Sequence, residues 1–222
     1  MSSTETTKAS AQFATFDLLD EVGCQTWLER VRRLRPHWRS RHELAPFYTL
    51  GLASYLDCES GRDAYHDPGQ RRENNQLLDE HFGPLLQLVA ETLSGHFSRP
   101  AQMTDAAARP GFHIYLPHFA FGLPVASVHR DLQYRKAFPT LTPTEAELFS
   151  FTLSLSTPAG SGLNLWHDPA GAPDFFPYRN GRLVVHNGLI THQAVLKCNG
   201  DVDRITLQGH CLMQADGALL YW

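Results

Sequence analysis

The sequence has few of the features that mark secreted, membrane-bound or nucleic-acid-binding proteins. Its 222 residues contain four cysteines without any CxxC spacing, so we expect reduced thiols and not a disulfide framework. The N-terminus is polar, and no apolar run approaches the roughly 18 residues of a membrane-spanning helix. A net charge of −4 gives no basic footprint for nucleic acid. We therefore predict a cytoplasmic protein with neither a nucleic-acid nor a membrane partner.

The composition supports one folded domain. Apolar residues make up 42% of the chain and charged residues 19%, which is enough apolar sequence for a core and argues against wholesale disorder. Residues 1–12 are rich in serine and threonine, and we expect a disordered tail there, followed by a single domain over residues 13–222. The 12 histidines are the most unusual feature of the composition.

The first hundred residues carry helical patterns. Apolar residues repeat about every 3.6 positions over residues 16–34, and this pattern stops before Pro36. Segments 46–57 and 73–97 are also predicted to be helical, the second with a break at Gly83–Pro84. The sequence therefore predicts a helical layer within residues 13–105.

After Pro100 the chain changes to short runs of alternating residues separated by turns rich in proline and glycine. Eight strands are predicted, over residues 112–117, 126–133, 148–156, 161–167, 182–188, 192–197, 204–214 and 218–222. Short strands at this spacing indicate a β-sandwich or barrel. The predicted fold class is α+β, with N-terminal helices packed on a β core over residues 106–222.

Two predicted strands separate their residue types by face. Over residues 148–156, Phe151, Leu153 and Leu155 share one face, and hydroxyl side chains share the other. The strand from Arg204 to His210 alternates in the same way. The ordinary interpretation is a sandwich with solvated outer faces. In the alternative, the apolar faces pack against helices and the polar faces line a binding cavity. Alternation alone does not choose between them.

Two segments of the β-rich half hold residues suited to a metal and a carboxylate. His129 and Asp131 lie two apart on a predicted strand, so they share a face, and His192 follows a turn 61 residues after Asp131. Two imidazoles and one carboxylate can occupy one face of an octahedral metal and leave three positions open. Arg204 and Thr206 share a face of the next strand, and such a pair suits a carboxylate. Taken alone, His129 and Asp131 could equally form a surface salt bridge.

In these motifs the chain resembles the 2-oxoglutarate/Fe(II)-dependent dioxygenase superfamily. The resemblance covers residues 110–215 and rests on HRD at 129–131, THQ around His192, and RIT at 204–206. It implies a double-stranded β-helix core of the jelly-roll or cupin-like kind, with Fe(II) bound by His129, Asp131 and His192. It also implies that Arg204, assisted by Thr206, binds the distal carboxylate of the co-substrate 2-oxoglutarate, and that O₂ is the oxidant. Tyr115 is a candidate further hydrogen-bond donor to the co-substrate.

The resemblance also implies a reaction class. Hydroxylation of a C–H bond in a small molecule, such as an amino acid or a biosynthetic intermediate, is the expected outcome, although desaturation and ring closure remain open. Family members that halogenate replace the carboxylate ligand with a small residue, so Asp131 disfavours that reaction. Candidate substrate contacts are Trp166, His167 and His186, the first two at the start of a long loop.

Three alternative functions remain open from the sequence. The protein could hydroxylate a side chain of a peptide or protein. It could be a cupin-type metal enzyme that needs no 2-oxo acid, or a non-catalytic β-sandwich module that binds a ligand. The cupin alternative leaves Arg204 and Thr206 without a role. The sequence makes no prediction of the oligomeric state.

Overall fold

The computed structural model describes residues 13–59, 62–144, 147–168 and 170–222, so the tail predicted over residues 1–12 lies outside the described residues. Within these ranges the chain forms strands β1–β14, which are Phe13–Asp17, Arg39–Ser40, Phe47–Leu50, Cys58–Glu59, Arg62–Asp63, Ala101–Met103, Gly111–Tyr115, Leu148–Ser156, Gly162–Trp166, Asp174–Pro177, Arg182–Asn187, Thr191–Val195, Arg204–Met213 and Ala218–Tyr221. Helices α1–α4 are Glu21–Arg33, Ser54–Asp57, Pro68–Phe97 and Tyr134–Ala137.

Two sheets organise the described part of the chain. Nine strands form the main sheet, in the order β1-β11-β8-β13-β7-β3-β2, with β14 pairing both β13 and β6. Strands β10, β9 and β12 form a smaller antiparallel sheet, and β4 and β5 form a separate hairpin. Almost all pairings are antiparallel, with β14 and β6 as the parallel pair. The predicted combination of helices with a β-rich core is confirmed, and the strand pairing is predominantly antiparallel.

Helix α3 covers one face of the main sheet. Asp67 caps its N-terminus by accepting a hydrogen bond from the backbone N–H of Gln70, and Pro68 occupies the first turn. The predicted break at Gly83–Pro84 is wrong, because the helix runs without interruption from Pro68 to Phe97. Its buried side chains, from Leu78 to Leu93, enter the same core as the apolar face of the sheet, and this packing outweighs the backbone bond lost at Pro84.

Three predicted segments differ from the structure. Residues 16–34 are helical only from Glu21, because Phe13–Asp17 pairs with β11. Segment 46–57 forms strand β3 followed by the single turn of α2. Segment 126–133 is not a strand, although His129 forms an isolated bridge with His192. The long loop after His167 contains β10.

The two faces of β8 point into different environments. Phe151, Leu153 and Leu155 belong to the core shared with α1 and α3. On the opposite face Ser150 and Thr152 line an internal cavity, together with Gln208 and His210 of β13. The structure thus has the second of the two arrangements considered from the sequence, in which the polar faces line a cavity. Among the described residues no helix combines the length and the apolar character needed to cross a bilayer.

Truncation of Phe82 will test how much α3 contributes to the fold. Its ring is fully buried and lies 4.5 Å from the ring of Phe112 on the main sheet. We expect Phe82→Ala to lower the free energy of unfolding by about 3–5 kcal/mol, because a cavity replaces a packed ring. Urea denaturation measures this loss. The matched truncation Val22→Ala, at an exposed position, should change stability by less than about 0.5 kcal/mol; equal effects of the two would contradict this packing.

Candidate metal centre

A cavity of about 390 Å³ lies between the two sheets. The main sheet contributes side chains from β3, β7, β8, β11 and β13, and the small sheet contributes β9 and β12. The loop before α4 closes one side with Ser127, His129 and Asp131. A pocket of this size with convergent polar groups is typical of a site for small molecules.

His129, Asp131 and His192 meet in this cavity. The Nε2 atom of His129 lies 3.4 Å from one carboxylate oxygen of Asp131, and Nε2 of His192 lies 3.4 Å from the other. Backbone pairing brings the segments together: each of the two histidines donates its N–H to the carbonyl of the other, at 2.9 and 2.8 Å. The residues therefore share the site although His129 and Asp131 do not belong to a regular strand.

The hydrogen bonds of the two imidazoles leave Nε2 available in both rings. Nδ1 of His129 lies 3.0 Å from the carbonyl oxygen of Ser127, and Nδ1 of His192 lies 2.8 Å from that of Ile190. Because a carbonyl can only accept, Nδ1 carries the proton in each ring and Nε2 presents its lone pair. This arrangement is typical of histidines that bind metals.

Asp131 is held by a dense set of polar neighbours. Its carboxylate accepts a short hydrogen bond from the Ser150 hydroxyl and a 2.9 Å bond from the Gln133 amide. Ser150 in turn lies 3.0 Å from Nδ1 of His210. Burial alone would raise the pKa of Asp131, but attraction to His192 and His210 holds this pKa well below its usual range. The carboxylate is therefore ionised, as a metal ligand must be.

The donor set fits a divalent metal with open positions. One ligand atom from each of the three residues lies within 4.8 Å of the others, and adjacent ligands about 2.1 Å from an octahedral ion are about 3 Å apart. Two imidazoles and one carboxylate, each with a backbone or side-chain hydrogen-bond partner, meet the requirements for such a site. The geometry therefore supports the three metal ligands predicted from the sequence.

A buried guanidinium lies in the same cavity. Arg204 is 1% exposed, and its Nε donates to the hydroxyl of Ser161 at 3.1 Å. Its guanidinium carbon lies 5.5 Å from the ring centre of Tyr115 and 5.6 Å from that of Tyr178. Nη2 is buried and has no hydrogen-bond partner within the described residues. Burying a cation without an anionic partner is energetically unfavourable. We therefore expect this guanidinium to bind an anionic ligand.

The other predicted site residues divide into two groups. Tyr115 and His186 line the cavity, and the ring of His186 lies 4.7 Å from that of His192. Thr206 is fully buried, and its hydroxyl accepts a 3.3 Å hydrogen bond from Gln208. Trp166 and His167 are not among the described residues that line the cavity. Trp166 pairs with Thr191, next to His192, but alternation places it on the opposite face of β9 from Leu163, which does line the cavity. His167 follows β9, and its Nε2 lies 3.8 Å from the Asp174 carboxylate.

Several site residues were not identified from the sequence. Ser150, Gln133 and His210 surround Asp131, Ser161 contacts Arg204, and His113 lines the cavity although it was given no role. The polar alternation of β8 and β13 was the available signal for Ser150 and His210. Gln133 and Ser161 lie outside strands, where no sequence pattern marks them.

A second group of potential metal donors lies on the paired strands β4 and β5 and just after β5. Cys58, Asp63 and His66 each offer an atom within 4.8 Å of the others. The Asp63 side chain is exposed, however, and Nε2 of His66 bonds the Lys136 carbonyl at 2.8 Å. Burial also raises the pKa of the Cys58 thiol to about 12, which disfavours the thiolate.

The chain matches no protein-family model and no curated protein. Solved structures similar to it are consistently 2-oxoglutarate/Fe(II) oxygenases. An N-substituted L-amino acid dioxygenase from Burkholderia ambifaria aligns over 97% of this chain and 88% of its own, with a TM-score of 0.60 and 12% identity. A 2OG-Fe(II) oxygenase family protein from Burkholderia pseudomallei aligns over 91% and 86%, with a TM-score of 0.51 and 12% identity. At this identity the likeness shows a shared fold, and it confirms the family resemblance at that level.

Proposed function

We propose that this protein is a 2-oxoglutarate-dependent Fe(II) oxygenase that hydroxylates a C–H bond of a small organic molecule. The observation that carries the proposal is the juxtaposition, in one cavity, of a His-Asp-His triad and a buried arginine that has no anionic partner in the described part of the chain. A metal-binding module alone gives no reason to bury Arg204. The shared fold with known oxygenases supports the same assignment, and we assign the double-stranded β-helix core to residues 106–222.

His129, Asp131 and His192 would hold Fe(II) through Nε2, a carboxylate oxygen and Nε2. With iron bound, the site would couple oxidation of 2-oxoglutarate to succinate and CO₂ with oxidation of the substrate C–H to C–OH, each reaction supplying two of the four electrons that reduce O₂. With only three protein ligands, a six-coordinate ion held there would have positions for the co-substrate and O₂. Asp131 occupies the position that would otherwise admit a halide.

Arg204 would bind the distal carboxylate of 2-oxoglutarate, because its buried Nη2 has no acceptor among the described residues. Ser161 holds the guanidinium by its Nε, and the rings of Tyr115 and Tyr178 flank it. Burial raises the pKa of Tyr115 to about 12, so its hydroxyl stays protonated and can donate to the same carboxylate. Thr206 is fully buried and is not among the described residues that line the cavity, so it would assist through the hydrogen bond that its hydroxyl accepts from Gln208.

The cavity size favours a small-molecule substrate. About 390 Å³ accommodates a co-substrate and a compact organic molecule. A cupin-type enzyme without a 2-oxo acid would leave the Arg204 guanidinium uncompensated. Of the three predicted substrate contacts, His186 is the one that lines the cavity, next to the candidate ligand His192.

Anaerobic titration tests the proposed function. Fe(II) added with 2-oxoglutarate should produce a visible charge-transfer absorption, which should not form with succinate in place of 2-oxoglutarate. In air, succinate should form in step with 2-oxoglutarate consumption when a substrate is present. Binding of Fe(II) without any 2-oxoglutarate-dependent absorption would support the cupin alternative. Binding of neither Fe(II) nor 2-oxoglutarate would support a non-catalytic module.

Removing the Ser150 hydroxyl will test whether its hydrogen bond to Asp131 contributes to metal binding. We expect Ser150→Ala to weaken Fe(II) binding by about 10- to 100-fold, because an outer partner that orients a metal carboxylate is lost. Equilibrium competition with a chromogenic chelator measures the affinity. Ser40→Ala, at an exposed serine of β2, is the matched control and should leave it unchanged. Unaltered affinity in Ser150→Ala would show that its bond to Asp131 has no role in metal binding.

A further inference from the structure

The cavity has an aromatic region that the metal and the co-substrate do not use. We name it the aromatic chamber and define it by Phe47, Tyr55, His113 and Trp222, all of which line the cavity. The His113 ring lies 5.5 Å from that of Phe47 and 5.2 Å from that of Trp222, and the Tyr55 hydroxyl forms a short hydrogen bond with its Nε2. Because these rings pack against one another, they form one continuous aromatic surface of the cavity, on which a flat ring of a ligand can pack edge to face or offset.

The chamber adjoins the metal triad. Its four residues line the same cavity as His129, Asp131 and His192, and Gln133, which also lines this cavity, donates a hydrogen bond to Asp131. A molecule held in the chamber would therefore present an atom next to the open side of the metal. This position is the one that a substrate needs.

The chamber offers no counter-charge. Among the described residues that line the cavity, Asp131 and Arg204 are those with a permanent charge, and both are already assigned to the metal and the co-substrate. The nearby guanidinium of Arg41 is bound by both oxygens of Asp57, at 2.9 and 2.6 Å. Burial lowers the pKa of His113 well below its usual value, so this ring is neutral. An ammonium or carboxylate placed here would be buried without a partner, which is costly.

Gln133 adds one specific polar contact. Its side-chain amide nitrogen must face Asp131, since a carboxylate can only accept hydrogen bonds. Its Oε1 is therefore the free end of the amide, and this buried oxygen has no hydrogen-bond partner within the described part of the chain. A buried acceptor of this kind is satisfied by a donor on the ligand.

Resting on the proposed function, we infer that the substrate is an uncharged, ring-bearing molecule whose N–H or O–H group, next to the oxidised carbon, donates to Gln133. Of the two substrate classes expected from the sequence, an amino acid or a biosynthetic intermediate, this excludes a free amino acid, because a zwitterion would bring two charges into a chamber that compensates neither.

Matched pairs of probes test the charge preference. N-acetyl-L-tryptophanamide is compared with L-tryptophan, and N-acetyl-L-phenylalaninamide with L-phenylalanine, so that the ring stays constant while the charges change. We expect each neutral probe to bind at least about tenfold more tightly than its zwitterionic partner, because burying unpaired charge is unfavourable. Calorimetry measures the affinities, and a shift of the Fe(II)–2-oxoglutarate absorption locates the bound probe. Equal or tighter binding of the free amino acids, or no binding by any probe, would overturn the inference.

A second pair tests the donor. Phenylacetamide should bind about tenfold more tightly than N,N-dimethylphenylacetamide, which has no N–H to satisfy Oε1 of Gln133. Equal affinities would remove this contact from the inference. The charge-transfer absorption of the protein with Fe(II) and 2-oxoglutarate is recorded before any probe is added. Its absence would count against the proposed function, whereas a normal band with no preference among probes would count against the substrate class alone.

A pair of variants tests whether the probe binds in the aromatic chamber. Phe47→Ala should weaken binding of N-acetyl-L-tryptophanamide by at least about tenfold, because one aromatic wall is lost. Phe175→Ala is the matched control, since Phe175 is 46% exposed on β10 and does not line the cavity. Equal affinity in the two variants, with normal circular dichroism, would place the probe elsewhere on the protein.

Discussion

Replacing Asp131 with alanine is expected to abolish 2-oxoglutarate turnover while the protein stays folded. The carboxylate faces both candidate imidazole ligands at 3.4 Å and is the single acid among the described residues that line the cavity. Loss of a supporting residue costs about 10- to 100-fold in metal affinity, so loss of the ligand itself should lower turnover by more than about 100-fold. His129→Ala should have the same effect.

The measurements separate metal loss from unfolding. Bound iron is counted by elemental analysis after gel filtration, succinate is quantified, and thermal unfolding is followed by circular dichroism. His37→Ala, at an exposed histidine outside the site, is the control and should retain both iron and turnover. If Asp131→Ala and His129→Ala keep stoichiometric iron and full turnover, these residues are not the ligands, and the proposed oxygenase site is wrong.

The metal-ligand candidates were predictable from the sequence, although the local structure around His129 and Asp131 was predicted wrongly. We predicted a strand over residues 126–133, and the structure has an irregular segment there. Paired backbone hydrogen bonds between His129 and His192 still place the two rings 4.5 Å apart. The contact thus depends on one point of pairing between distant segments and not on regular structure around either residue.

Strands in the middle of the sheet were also predictable. Strand β8 has the predicted bounds, 148–156, because its two faces meet an apolar core and a polar cavity and its sequence alternates accordingly. The edge strand β1 was not predicted, and its last two residues, Phe16 and Asp17, were predicted as the beginning of a helix. Its partner in the sheet, β11, lies about 170 residues away in the chain, and local periodicity contains no information about such a pairing.

The surroundings of the metal triad could not be predicted. Ser150 and His210 are 60 residues apart and reach the same carboxylate only because β8 and β13 are neighbours in the sheet. Each of them, taken alone, is an ordinary polar residue of an alternating strand. Their roles follow from which strands pair, and strand order is a property of the whole fold.

Replacing Arg204 is expected to remove most of the affinity for 2-oxoglutarate. Breaking a buried charge-assisted pair costs about 2–5 kcal/mol, which corresponds to a dissociation constant raised by about 30-fold to several thousand-fold. Arg204→Met keeps much of the side-chain volume and removes the charge; Arg204→Lys keeps the charge but loses the planar fork and should show a smaller loss. Arg182→Met is the matched control, because that arginine pairs with Asp17 at the surface.

The co-substrate can be changed as well as the protein, which separates recognition of the carboxylate from general damage. 2-Oxopentanoate keeps the chelating end of 2-oxoglutarate and lacks the distal carboxylate. The natural protein should prefer 2-oxoglutarate strongly, and Arg204→Met should lose that preference while binding 2-oxopentanoate as before, as the absorption titration will show. A variant that weakens both compounds equally has only disturbed the fold. A variant that retains the full preference would show that another cation receives the carboxylate, and the unpaired Nη2 of Arg204 would then require a different anion.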